Sequence, residues 1–162
     1  MGEIEQTVGR YIHLEISGRP CRIYFEQAGA GIPLVCLHTA GSDATQYRHL
    51  LSDAGILDRF QVIAFDMPWH GESLPPTGYH DEEYILTTDL YTESIRSFCA
   101  ALDLENPVIM GCSMGGRIVL HLAEAYPAAL PGFKPRLSPQ WHWFDRQALA
   151  RMRAASGSSV GA

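Results

Sequence analysis

The stretch 107–125, PVIMGCSMGGRIVLHLAEA, constrains this chain more than any other. A short apolar run, 108–110, leads into Gly111-Cys112-Ser113-Met114-Gly115, and a helical run, 117–125, follows at once. That reads as strand, sharp turn and helix, with a serine at the apex. In so tight a turn, side chains two residues either side of the serine would collide. Gly111 and Gly115 leave the room, and Gly116 widens it. The turn strains the serine backbone and lifts its hydroxyl above the strand end. The amides after Ser113 lie at a helix N-terminus, where partial positive charge collects. A hydroxyl beside such N–H groups suits acyl transfer.

The chain before this stretch reads as alternating strands and helices. Residues 11–16 and 21–26 alternate apolar and polar, with Ser17-Gly18-Arg19-Pro20 as a turn between them. They predict an antiparallel hairpin at a sheet edge. Three continuous apolar runs follow, at 33–38, 62–65 and 108–110. Such runs belong to strands buried on both faces. Between them lie a helix over 44–54, entered by Asp43 and Gln46 in a capping-box-like pair, and a second over 88–102 with Tyr91, Ile95, Phe98 and Leu102 on one face. The helix after Ser113, with Ile118, Leu122 and Ala125 on one face, is apolar enough to be buried, and Tyr126-Pro127 ends it. The predicted fold class is α/β: a doubly wound, mostly parallel sheet with helices on both faces.

At Gly111–Gly115, taken with the strands before it, the chain resembles the α/β-hydrolase superfamily, whose nucleophile elbow has this form. The resemblance covers residues 11 to about 127 and implies hydrolysis of an ester or similar acyl bond with Ser113 as nucleophile. His38-Thr39-Ala40 resembles the family's His-Gly-x segment, which lends a backbone N–H to the oxyanion hole. Carried over, the donors are the amides of Ala40 and Met114, with Thr39 standing where the family often has glycine. A helix-entry loop needing only small residues is the plainer reading of 38–42. Asp66-Met67-Pro68-Trp69-His70-Gly71 resembles the family's Asp-x-Pro-Gly-x-Gly segment, with Trp69 and His70 in place of small residues, and implies a structural loop below the site. Cys112 precedes the apex and is expected to point away from substrate.

In this family the acid and then the histidine follow the serine. After Ser113 and outside its own helix, only His142 and Asp145 offer themselves, in reversed order and with no strand to hold them. The text also changes character beyond Pro127. Lys134, Arg136, Arg146, Arg151 and Arg153 face Asp145 alone, prolines recur, and residues 154–162 are Ala/Ser/Gly-rich. The expected organisation is a hydrolase-core portion over 1–127 and an aberrant, poorly ordered basic tail over 128–162. It is what a truncated or frame-shifted chain of impaired activity would show. Two rivals stay open: a non-catalytic pseudoenzyme, and an interaction module that pairs through an exposed sheet edge.

Composition narrows the rest. A net charge of −6 and a pI near 5.6 argue against nucleic acid and anionic membranes as partners. No stretch approaches the ~20 apolar residues of a membrane span. The opening MGEIEQTVGR has neither a basic nor an apolar signal region, and the four cysteines form no C-x-x-C pair, so a cytoplasmic chain with reduced thiols is expected. The seven histidines show no metal-ligand spacing, and neither metal nor cofactor is expected. The expected partner is a small-molecule substrate.

Overall fold

Alternation at the N-terminus becomes a long two-stranded ribbon in the computed structural model, which describes residues 7–76, 78–83 and 85–125. Strand β1 (Val8–Ile16) pairs antiparallel with β2 (Arg19–Ala28) in full register, Ile16 opposite Arg19. Ser17 and Gly18 make the connection with φ of 51° and 71°. Two positive φ values in a two-residue loop give the turn whose twist matches its strands. β1 begins earlier than the alternation over 11–16 predicts. Its first four residues are exposed, so no hydrophobic period marks them.

The three apolar runs are strands, as expected. β3 (Ile32–Leu37) lies between β4 (Phe60–Phe65) and β5 (Val108–Gly111) and runs parallel to both. β2 joins the other side of β4 antiparallel, giving the order β1-β2-β4-β3-β5. The sheet is mixed: β2 alone runs against the other four strands.

Each central strand feeds two cores. Val35, Leu37, Ile63, Phe65 and Ile109 point into the larger one, with β2 residues and the buried sides of α3 (Thr88–Ala101) and α4 (Met114–Ala125). Leu34, Cys36, Val62 and Ala64 point to the opposite face, against Ala44, Tyr47 and Leu51. Tyr91, Ile95 and Phe98 are the buried stripe of α3, as its spacing predicts. The Phe98 ring stacks on Phe65 at 4.3 Å and meets Phe25 edge-on at 5.4 Å.

Two details correct the sequence reading. The helix predicted over 44–54 is three short pieces: a 3-10 turn (Ala44–Tyr47), α1 (Arg48–Leu51) and α2 (Ala54–Leu57). Asp53 causes the break, because its carboxylate accepts the Ile56 amide at 3.0 Å and caps a new helix. Asp43 does cap the first piece through the Thr45 amide, but Gln46 does not reciprocate. Its Oε1 instead accepts the Thr39 amide at 2.9 Å, tying the helix entry back to the end of β3. In α4, Gly115, Ile118 and Leu122 are buried, while Val119 and Ala123 are half-buried and Ala125 is exposed. The basic tail, His142, Asp145 and the stop at Tyr126-Pro127 lie outside the described residues.

Candidate active site

Register brings the site together. Leu37 is opposite both Phe65 and Gly111, so β3, β4 and β5 end side by side. The segments that leave them carry His38-Thr39-Ala40, Asp66 to Ser73, and Cys112-Ser113. In parallel sheets this carboxyl edge is where functional loops gather.

Ser113 sits at the apex between β5 and α4 with φ of 52°. A non-glycine residue held there costs on the order of 1–3 kcal/mol, so the surroundings must impose it. They do so at closest approach. A Cβ at Gly111 would lie 2.4 Å from the Gly115 carbonyl carbon, and one at Gly115 would lie 2.3 Å from the Leu37 oxygen. The glycine spacing is therefore a packing requirement between β3, β5 and α4. The Cys112 amide bonds Leu37 O at 3.3 Å, the Gly115 amide bonds Cys112 O at 3.0 Å, and the Arg117 amide bonds Ser113 O at 3.0 Å. Ser113 is exposed and Cys112 half-buried.

Ala40 is exposed in the loop after β3, and Met114 opens α4. Among the described residues neither amide donates to a protein acceptor. The loop that carries Ala40 is firmly held. Its Thr39 carbonyl accepts the Ser42 amide at 3.2 Å and lies 2.8 Å from His38 Nδ1.

His38 is fully buried. Its Nε2 accepts the Met67 amide at 3.1 Å. A carbonyl beside one ring nitrogen and an N–H beside the other leave one consistent state: neutral, with the proton on Nδ1. Burial holds its pKa below the ordinary imidazole value, and the His70 ring, 4.9 Å away, pushes the same way. Both ring nitrogens are thus committed to the backbone.

Asp66 is also buried, and both of its oxygens are taken. Oδ1 accepts the Ala44 amide at 2.6 Å and Oδ2 the Glu72 amide at 2.8 Å. Gly71, with φ of 51°, makes the approach possible, since a Cβ there would lie 2.1 Å from Oδ2. Ser73 closes the loop by donating to Asp66 O at 2.8 Å. Asp66 therefore clamps loops, which agrees with its structural reading. Burial nonetheless raises its pKa against the pull of the two amides.

Among the described residues no side chain hydrogen-bonds Ser113, and no group of three His, Cys, Asp or Glu could hold a metal ion. All four cysteines are free, and burial pushes the Cys36 and Cys99 thiols up to about 12. No helix among the described residues is long and apolar enough to cross a membrane. Sequence reasoning missed the Met67–His38 and Gln46–Thr39 bonds. The resemblance of 38–40 to a functional segment was the only signal for either.

Residues 32–133 match the alpha/beta hydrolase fold family. The dihydrolipoyllysine-residue acetyltransferase component of an acetoin cleaving system from Pseudomonas putida is 32% identical over 114 residues, covering 70% of this chain and 28% of the relative. A thermophilic esterase from Thermogutta terrifontis superposes with a TM-score of 0.62 at 24% identity, over 72% of this chain and 41% of that one. A mutant N-acyl homoserine lactonase complexed with N-hexanoyl homoserine superposes with a TM-score of 0.59 at 28% identity, over 74% and 42%. The chain spans less than half the length of each of these proteins. With more than half of its residues matched, strand order and strand–turn–helix apex included, the chain belongs to the α/β-hydrolase fold family.

Proposed function

We propose that this chain carries the nucleophile half of a serine hydrolase that acts on an ester or similar acyl bond of a small molecule. The observation behind the proposal is Ser113 itself, exposed at a strand–helix apex with φ of 52°. Strain of that kind at a polar side chain is a mark of functional sites. In the proposed reaction Ser113 Oγ attacks the acyl carbon and the amides of Ala40 and Met114 receive the developing oxyanion. The alcohol leaves to give an acyl-serine, which water then hydrolyses. The lactonase and the esterase give acyl chemistry two precedents on this fold.

His38 is unsuited to be the base, because both ring nitrogens are bonded to the backbone. The base and its orienting acid fall outside the described residues or outside this chain. Where neither is supplied, turnover drops to a residual ~10³–10⁴ over water, the level left when a triad member is removed. A fluorophosphonate serine probe tests the nucleophile. Labelling that disappears in Ser113→Ala supports the reading, and an unlabelled wild type points to a non-catalytic chain.

The β5 edge favours a second reading. Among the described residues β5 pairs only with β3, and Val108 and Met110 are each 37% exposed on it. An open edge of this kind is a template for pairing. In this reading two copies join through β5, which light scattering on a sizing column reads as twice the monomer mass.

A further inference from the structure

The peptide between Thr39 and Ala40 is gripped at its oxygen. That oxygen accepts the His38 Nδ1 hydrogen at 2.8 Å and the Ser42 amide at 3.2 Å. The peptide is trans. A trans peptide is planar and points its N–H opposite its C=O. Whatever holds the Thr39 oxygen therefore aims the Ala40 amide, and among the described residues His38 is the only side chain that does so.

As a neutral ring, His38 donates from Nδ1 only in the tautomer that leaves Nε2 unprotonated. The Met67 amide, aimed at Nε2 from 3.1 Å, enforces this. Met67 stands just past the end of β4, and Thr39 just past the end of β3. The imidazole, itself fully buried, thus links two strand-exit loops by one donated and one accepted bond. Tyr47 Oη adds a third tie at the end of β3, donating to Leu37 O at 2.7 Å.

We propose that His38 is a positioning residue: its Nδ1 hydrogen fixes the Thr39–Ala40 peptide plane, and the Met67 amide fixes the tautomer that makes this possible. The consequence for rate rests on the reading of Ala40 as an oxyanion donor. The consequence for the peptide does not.

Two substitutions separate the halves of the ring. His38→Asn places a carboxamide nitrogen near the place of Nδ1 and keeps the donor to Thr39. His38→Gln places a carboxamide oxygen near the place of Nε2 and keeps the acceptor for Met67. The experiment uses the full chain labelled with 15N. It reads the His38 imidazole nitrogens, the Ala40 amide resonance and its hydrogen exchange, and the rate at which a fluorophosphonate labels Ser113. The wild type is expected to show the Nδ1–H tautomer. His38→Asn is expected to keep the Ala40 resonance near its wild-type position and to label within a few-fold of wild type. His38→Gln is expected to move that resonance and to label ~10²-fold more slowly, the loss typical of one oxyanion donor. An Nε2–H tautomer, or an Ala40 amide that responds equally to both substitutions or to neither, overturns the proposal. If His38→Gln does not fold, the tautomer and the His38→Asn spectrum decide. If Ala40 follows the side chain but no variant labels, the serine-hydrolase reading fails and the positioning role stands. If the wild type labels but Ala40 ignores His38→Gln, the reverse holds.

Discussion

Ser113 is held by its neighbours in a conformation that serine does not favour. The φ of 52° is imposed where Gly111 and Gly115 let β5 and α4 touch, with Gly115 against the Leu37 carbonyl. Glycine at 113 takes the same φ without penalty. Ser113→Gly is therefore expected to be more stable than Ser113→Ala by about 1 kcal/mol, while both lose the nucleophile. Equal urea midpoints for the two variants would count against strain at this position. Gly115 makes the opposite case. Alanine there gains roughly 1 kcal/mol of helix propensity in α4. Its Cβ, however, would stand 2.3 Å from Leu37 O and 2.8 Å from Leu37 Cβ, and that backbone cannot swing aside. Overpacking of this kind costs typically 1–3 kcal/mol, and here it falls on backbone. Gly115→Ala is expected to lower the urea midpoint, and a raised midpoint would show that α4 can slide.

His38 sets a pH dependence with a definite sign. Burial and the nearby His70 depress its folded pKa, against the Thr39 carbonyl and Asp43, which raise it. The folded chain then binds fewer protons than the unfolded chain just below the ordinary imidazole value of 6.5. Stability is full above that value and is lost as pH falls through the folded pKa. Asp66, with its pKa raised by burial, contributes with the opposite slope, so the comparison with a His38 variant isolates the histidine's share. Thermal midpoints measured downward from pH 7 are expected to fall for the wild type and to flatten for His38→Asn. Parallel curves would assign the acid sensitivity elsewhere.

At the scale of elements, the sheet depends on α3. Phe98 is fully buried between Phe65 of β4 and Phe25 of β2, so it joins the parallel and antiparallel parts of the sheet on one face. Phe98→Ala is expected to cost about 3–5 kcal/mol. That is a large share of an ordinary domain's stability of about 5–15 kcal/mol, so loss of the cooperative near-UV transition is the readout. The elements show what was legible in the sequence. β3 and β4 stood out because strands covered on both faces are continuously apolar. β5 is apolar too, but only Ile109 of its run is buried; Val108 and Met110 are exposed, against the expectation of a strand covered on both faces. The stripe on α3 and the apex at Ser113 were equally plain. The first residues of β1 were not, since an exposed edge carries no period. The single helix read over 44–54 failed at Asp53, where a side chain competes for backbone amides. The grip of His38 was out of reach for a different reason. Its partners are a backbone carbonyl next door and a backbone amide 29 residues away, and backbone groups leave no mark in the text.

For the molecule as a whole, the far edge of the described sheet is the face that needs cover. The matched region spans 28% of the Pseudomonas putida relative, and the described sheet stops at β5. There Val108 and Met110 present apolar side chains on a strand that, among the described residues, is paired on one side. The N–H and C=O groups of its other side need partners, and water, another part of the chain or a second copy can each supply them. Only the last depends on concentration. Lys is the residue that blunts open edges, because pairing would bury its charge. On the reading in which two copies join through β5, light scattering over a range of concentrations is expected to show a monomer–dimer equilibrium in the wild type. Met110→Lys is expected to shift it to monomer without moving the thermal midpoint of the monomer. A wild type that stays monomeric at every concentration would mean that the β5 edge is already satisfied. A Met110→Lys variant that dimerises as before would place the contact elsewhere on the surface.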